Sequence, residues 1–549
     1  MTLVLTLLGC AEDPFDFGSW SEPSLKITSP EIGAMTEEGE VEVVGKVRNL
    51  DYVEINGVEA EVSSFGRFTA VVPMEHGINV IEAYGWRDDD LDTDFDRRAV
   101  IAGTFAVPEE PVPEGLMLRA NQGALDMLML GVQSQIDPDQ ITSTAMNMNP
   151  VFNQNSLFVD AKAVIERINI GKPKIRAYPS AEALEIETRV PHFFVRVRSW
   201  GNVLGHPYDV GATVESEEIV LGLGFALGAE NGNLDVDMAF VNLDLIGFDF
   251  DVSFIPDLVE DLLMVDRVQE KAEQALEKVL MKALDPAIDD ALASLDLSFS
   301  TQLKGQKLDV AVDFADAWSD ADGIAIVTDV YTEMPQVLPG EYPGYLLTRS
   351  EGYPMPSTKS SVAVSVSDNL VNNLMFQVWR AGLIDLHMST EDGTLSPEMA
   401  GKLKAEQASM SIRSALPPVI TQDQGRLAIQ IGEFDVGIDT PGGELGDTMS
   451  LALALQLDMA PRTQNGWLDL GLGDPEMAMM VRENDWGATD QTTTRMLEEM
   501  MPVEELLGPV NDLAIPMPQF PAGGGIDDIK VVRDPTGAHT NVHINLVRP

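Results

Sequence analysis

Few residues in this chain have the types and spacings that make or break bonds. The six histidines are scattered. His539 and His543 stand four apart, in a stretch that reads as strand or turn and makes a poor metal pair. Residues 222–228, GLGFALG, have the glycines of a dinucleotide loop at the wrong spacing, and the alternation around them reads as a strand with glycine gaps. Residues 88–96, DDDLDTDFD, could offer hard oxygen ligands to Ca²⁺ but lack the glycine of an EF-hand loop, and read as a solvated acidic loop. No G-x-S-x-G elbow, P-loop or H-E-x-x-H occurs. With 89 acidic residues, carboxylate pairs arise by density alone. The expectation is a protein that is not an enzyme, with no cofactor and no metal.

The bulk composition narrows the classes further. The 549 residues suffice for three or four domains, and 44% hydrophobic residues can build real cores. Thirty-five Lys+Arg against 89 Asp+Glu leave a net charge of −54, spread along the chain. Such a polyanion repels phosphate backbones, which excludes nucleic acid as an expected partner. The single cysteine closes "MTLVLTLLGC", and Leu7-Leu8-Gly9-Cys10 resembles the bacterial lipobox. By that resemblance Cys10 becomes an acylated first residue, and Ala11 after it follows the outer-membrane sorting pattern. The apolar run is too short to span a bilayer. It also lacks a positive n-region, as a start placed downstream of the true one would leave it.

The elements come next. Residues 1–10 read as a lipoprotein signal and 11–24 as a tether. Residues 25–106 show short alternating strands between turn signals, with Asn56-Gly57 a hairpin turn. They resemble bacterial immunoglobulin-like β-sandwich modules, here a spacer. Residues 107–114 (VPEEPVPE) read as a stiff linker and 334–360 as a Pro/Gly-rich linker and central-sheet region. The two long segments, 115–333 and 361–549, each open with a strand that switches to a helical period. Leu125, Leu128, Met129 and Val132 match Val371, Leu374, Met375 and Val378 at a constant offset of 246. The caps Asn121 and Ser367 and the strand positions Leu116/Val362 and Leu118/Val364 stay in the same register. These are two related halves. The first also holds long two-sided strands: Leu234, Val236 and Met238 against Asp235 and Asp237, then Phe248, Phe250, Val252 and Phe254 against Asp249 and Asp251. An amphipathic helix follows over 256–295, with Leu276 and Val279 on its apolar face.

The stretches "GLMLRANQGALDMLM", the helix after Pro256, "VSVSDNLVNNLMFQVWRAGLIDL" and "AIPMPQFPAGGGIDDIKVV" resemble, in order and spacing, the tubular lipid-binding (TULIP) superfamily, in its bactericidal/permeability-increasing protein and lipopolysaccharide-binding protein family. The resemblance implies an α+β, mostly antiparallel fold. The N-terminal Ig-like β-sandwich would precede two pseudo-repeated barrel-plus-helix lipid-binding domains in a boomerang, each with an apolar tunnel. Leu125, Met129 and Val132, facing Leu276 and Val279, would line the first tunnel, and Leu374, Met375 and Val378 the second. Each buried methylene contributes about 0.8 kcal/mol, and the 26 methionines suit chains of varied shape. The implied partner is a phospholipid or another acyl-chain lipid, met at a bacterial cell envelope through the lipid on Cys10, on the periplasmic or the surface face of the outer membrane. No protein partner is identified. Two departures stand out. The first half has only Lys172, Lys174, Arg176, Arg196 and Arg198 for the family's basic tip, and the family's disulfide cannot form from one cysteine. The alternative is a surface adhesion or interaction protein with the barrels as a dry scaffold.

Overall fold

The structure is a computed structural model. It describes residues 23–547 apart from 38, 88–92, 156–158, 204, 253–297, 349–355, 424–425, 461, 465–466, 470, 487–496, 498–506, 509, 511–513, 517–524 and 535–537. Cys10, Leu276 and Val279 therefore lie outside the described residues. No described helix is long and apolar enough to cross a membrane.

The longer strands that open the fold are β1 (Ser24–Ser29), β2 (Gly39–Arg48), β3 (Tyr52–Ile55), β4 (Arg67–Met74), β5 (Gly77–Trp86) and β6 (Thr93–Ala102). One sheet runs β1–β2–β4 and the other β6–β5–β3. Every second residue is apolar, so each sheet has one face to bury. Ile27, Val43 and Phe68 of the first share a core with Val53, Ile81 and Val100 of the second. Asn56 and Gly57 take φ of 47° and 83°, as a two-residue hairpin turn requires. This sandwich is seated on the rest of the chain. Ala99 and Ile101 form a small core with Leu346, Leu416 and Val419. The Pro/Glu stretch that follows is also held: Val112 is buried, and the Pro108 carbonyl accepts from Gln377 at 3.4 Å.

In the first half, β7 (Val112–Asn121) runs directly into α1 (Gln122–Gln135). The Asn121 side-chain oxygen accepts from the Gly123 and Ala124 N–H groups at 2.8 and 3.2 Å, satisfying two donors that the first helical turn leaves orphaned. After α2 (Pro138–Asn147) come β8 (Val159–Asn169), β9 (Lys174–Pro179), β10 (Leu184–Val203), β11 (His206–Glu230), β12 (Asn233–Ile246) and β13 (Asp249–Val252). They form an antiparallel half-barrel in the order β8–β10–β11–β12, with β9 also on β10 and β13 also on β11. Gly222 to Gly228 lie within β11. An added Cβ at Gly224 would stand 2.2 Å from the Phe240 ring, so the glycine makes room for that side chain. The chain then returns through β14 (Gln306–Asp320) and β15 (Gly323–Glu333).

The second half repeats the opening. β16 (Val362–Ser367) leads into α3 (Asp368–Arg380), where Ser367 Oγ accepts from the Leu370 N–H at 3.1 Å. Gly382, with φ 69°, follows the helix end. The second half-barrel is β17 (Ser409–Ser414), β18 (Arg426–Asp439), β19 (Thr448–Met459) and β20 (Leu472–Asn484), paired in that order. β21 (Gly525–Arg533) and β22 (His539–Val547) close the chain.

A central sheet joins the halves in the order β14–β15–β7–β16–β22–β21. Leu116 lies opposite Val366, Leu118 opposite Val364 and Ala120 opposite Val362. Leu118 and Val364 are also equivalents at the 246 offset, so a local two-fold axis passes between them. The next pairings obey it: Asn121 faces Gly323, and Ser367 faces His539. Each half ties its returning hairpin down with an ion pair, but with opposite polarity. Arg119 on β7 reaches Asp320, whereas Asp368 at the start of α3 holds Arg533.

His539 and His543 share β22, and four residues along a strand span about 13 Å, so they do not converge on one ion. No three His, Cys, Asp or Glu come together as metal ligands among the described residues. Burial lowers the His539 pKa; Asp368 and Asp534 oppose that shift and Arg533 reinforces it. The folded chain therefore binds fewer protons than the unfolded one between that lowered value and the ordinary imidazole value of about 6.5. Stability from this group is present above that window and lost as pH falls through it. Thermal unfolding at pH 7.5 and 5.5 should show a larger acid-induced loss in the native chain than in His539→Gln; equal losses would remove His539 as the cause.

Candidate functional site

The site is built from the inner face of the first half-barrel. Cross-strand register sets three rows: Ile186–Leu223–Val241, Thr188–Leu221–Leu243 and Val190–Ile219–Leu245. One strand face carries all the apolar members because side chains alternate. The β12 sequence would break that rule, since its apolar residues change parity from Leu234, Val236 and Met238 to Val241, Leu243 and Leu245. A bulge resolves it. Met238 pairs with Phe225 and Phe240 with Gly224, so Ala239 is the extra residue and both runs face inward.

A crease crosses the same sheet further along. On β10 the inward positions shift from Val190 to Phe193 and Val195, past His192 at φ 54°. On β11 they shift from Ile219 to Ser216 and Val214; the ladder skips the His192/Glu217 position but keeps its register. Gly247, at φ 66°, separates β12 from β13 at the same level, and Ser216 Oγ donates to the Ile246 carbonyl at 2.7 Å. Beyond the crease Phe250 pairs with Val214, extending the apolar face.

Exposure changes along these rows. Ile186, Val190, Ile219, Leu221 and Leu223 are buried, the last two completely. Their neighbours Val241, Leu243, Leu245 and Phe250 are only half-buried, although they pack on the same core. The half-barrel thus presents an apolar strip that runs out from beneath α1 and is incompletely covered. The opposite faces of β12 and β13 carry Asp235, Asp237, Asp244, Asp249 and Asp251 and no lysine or arginine.

The described lining candidates all enter one contiguous apolar core. Leu125, Met129 and Val132 of α1 pack in it with Ile175, Ala177 and Ile186, and Leu374, Met375 and Val378 of α3 are buried in the same cluster. Sequence inspection passed over Val241, Leu243, Leu245 and Phe250 as lining residues. Their signal was present in the alternation of 234–254, but only the bulge and the crease put these residues on the α1 side.

The two helices differ in their surroundings. α1 is exposed on its outer side, at Gln122, Gly123 and Leu130. α3 is buried on both sides, and its amides grip main chain. Asn372 donates to the Leu346 carbonyl at 3.0 Å and accepts from the Ile420 N–H at 2.7 Å. Gln377 donates to Thr332 O at 3.2 Å, and Trp379 Nε1 to Ser414 O at 2.8 Å. The period of α3 predicts a helix with a solvated polar face. The structure instead covers that face with backbone from β15 and from the strands around Leu346 and Ile420.

Two of the five basic residues singled out in the first half, Arg196 and Arg198, have acidic neighbours. Arg198 makes two bonds to Asp209, at 2.9 and 2.6 Å, and Arg196 lies 3.6 Å from Glu166.

Fold and site together define a mostly antiparallel β protein of two helix-bearing half-barrels that share a central sheet. Residues 23–90 match the family model described as glucodextranase, domain B. A comparison with curated proteins gives no match. Among solved structures, the chain is similar to the crystal structure of lipopolysaccharide binding protein, at 11% identity and a TM-score of 0.42, covering 80% of this chain and 99% of that one. It is also similar to the solution structure of latherin, at 15% identity and a TM-score of 0.17, covering 34% of this chain and 89% of that one.

Proposed function

We propose that this chain is a lipid-binding or lipid-transfer lipoprotein of a bacterial envelope. Acylated Cys10 holds it at the membrane, and acyl chains are taken up along the inner face of the first half-barrel. The observation that carries this is the half-buried strip of Val241, Leu243, Leu245 and Phe250 continuing a fully buried apolar face. Water against such a strip is unfavourable by roughly 25 cal/mol for each Å² of apolar surface, and a hydrocarbon chain relieves that without any polar partner. The mechanism is burial and exchange, with no bond made or broken. Leu125, Met129 and Val132 form the wall behind the strip.

Native mass spectrometry after organic extraction tests the proposal. The native chain should carry co-purified lipid, and Leu243→Glu/Leu245→Glu should lose it while the chain stays folded by circular dichroism, because both positions already meet water in part. A lipid-free native chain that takes up none when offered would sink the proposal. The alternative, a surface interaction protein, is favoured by one feature of the N-terminal sandwich. The outer face of β3, β5 and β6 exposes Tyr52, Tyr84 and Phe95 around Trp86, whose ring lies 5.7 Å from Tyr52 and 5.8 Å from Tyr84. A lipid-free chain would direct attention to that face.

A further inference from the structure

We propose that the central sheet binds a small carboxylate on the face turned away from the apolar core, between Arg119, Ser365 and His543. This site is independent of the acyl-chain strip. Leu116, Leu118, Val364 and Val542 point into the contiguous apolar core. Side chains alternate along a strand, so Met117, Arg119, Ser365, Asn541 and His543 stand on the other face. Cross-strand register orders one row there as Trp318, Ala325, Arg119, Ala363, His543 and Lys530. The next row runs Val327, Met117, Ser365, Asn541 and Val532.

Ala363 places only a methyl group between two long polar side chains. Arg119 and His543 flank it on the neighbouring strands, with Cα atoms about 10 Å apart, and Ser365 stands two residues further along, about 7 Å away. Arg119, Ser365 and Asn541 are each more than nine-tenths buried. Among the described residues, Arg119 Nε and Nη1, Ser365 Oγ, Asn541 Oδ1 and the Nδ1 atoms of His539 and His543 have no hydrogen-bond partner. Native interiors rarely leave one such group unpaired, and here several share one patch of sheet. Arg119 pairs with Asp320, and that pair leaves Nε and Nη1 unused. Exposure grades along the row: Arg119 is buried, His543 is half-buried and Lys530 is exposed. The polar patch therefore meets solvent at the β21 edge.

The unpaired groups are mostly donors. A guanidinium has no acceptor, a hydroxyl donates once, and a neutral imidazole donates from one nitrogen. Burial lowers the pKa of both His539 and His543, and Lys530 adds to the effect at His543, so the rings are neutral at pH 7.5. Against these donors stands the Asn541 Oδ1 acceptor. The ligand that fits is rich in acceptors, and Arg119 and Lys530 repel a cation. A carboxylate brings two oxygens and a single charge, and its bonds to a guanidinium are of the strong, charge-assisted kind. A phosphate dianion would set a second negative charge near Asp320 and near Asp534, which accepts from Asn541 Nδ2 at 3.3 Å.

Histidine Cε1 signals test this in the full chain, whose six histidines are few enough to assign by replacing each with glutamine. Sodium acetate is exchanged for sodium chloride at constant ionic strength and pH 7.5. The His543 signal should shift saturably, and inorganic phosphate should need at least tenfold higher concentration. Ser365→Ala should weaken acetate at least tenfold without lowering the melting temperature, because it deletes a buried hydroxyl that has no partner among the described residues. Arg119→Lys keeps the charge, loses donors, and should weaken acetate by as much. Octanoate separates two sources of the carboxylate. A His543 shift equal to that from acetate points to a fatty acid and no octanoate shift points to a small acid, and both support the site. A His543 signal unmoved by 100 mM acetate and by octanoate would overturn the proposal and leave a closed polar layer. Phosphate binding as tightly as acetate would overturn the charge assignment. A Ser365→Ala chain that loses stability and keeps its acetate affinity would remove Ser365 from the site.

Discussion

Arg533→Ala is expected to cost about 3–5 kcal/mol of stability, one of the two largest single-residue effects in this chain. Asp368 is the first residue of α3 and is 3% exposed; Arg533 Nη1 donates to its Oδ1 at 2.6 Å, and Nη2 bonds its Oδ2. Arg533 Nη1 also reaches Thr540 Oγ1 at 3.2 Å. Removing the guanidinium strands a buried carboxylate, and the desolvation of that charge is no longer offset. The carboxylate still gains from its place at a helix N-terminus, but that compensates only in part. Arg533→Ala/Asp368→Ala should recover much of the loss, because no charge then remains buried. Urea unfolding of the two single variants and the double variant measures the coupling. Additive losses would mean that the pair does not act as a unit.

Glu433→Ala is expected to cost about 3 kcal/mol, most of it at the seat of the N-terminal sandwich. Glu433 is 2% exposed, pairs with Arg482, and is the acceptor for the buried Ala99 N–H. Alanine leaves both donors short of a partner, although Arg482 keeps Asp435 at 3.7 Å. Glu433→Gln retains an oxygen for Ala99 and should cost less than half as much. Burial raises the Glu433 pKa, against the lowering effects of the Ala99 N–H and Arg482. The seated form therefore binds more protons than the unseated form between the ordinary carboxylate value of about 4.3 and the raised one. Seating strengthens as pH falls through that window and weakens as pH rises through it. Hydrogen exchange at Ala99 and Ile101 reads the seating directly. Protection that is unchanged in Glu433→Ala would show that the small apolar core of Ala99, Ile101, Leu416 and Val419 suffices alone.

These two sites show where local sequence stops being informative. Asn121 and Ser367 were legible as helix caps because the residue type, the following helical period and the preceding alternation all act within about ten positions. The Asn56-Gly57 turn and the strand across Gly222 to Gly228 were legible for the same reason. So was the internal repeat, since a constant offset of 246 survives in any fold that keeps both halves. The carboxylate of Glu433 gave no such signal. Its partner Ala99 is 334 positions away, and an acidic residue between two apolar ones in a strand normally faces water.

The sequence by itself determined which stretches alternate, which helices are capped, that the chain is a polyanion, and that its two long segments are related. Each follows from short-range sterics, hydrogen bonding or charge count. Only the tertiary structure decided that β7 pairs with β16 through a local two-fold axis, because strand partners are chosen by long-range closure and not by period. It also decided which parity of β12 faces inward, since one bulged residue at Ala239 reverses every side chain after it.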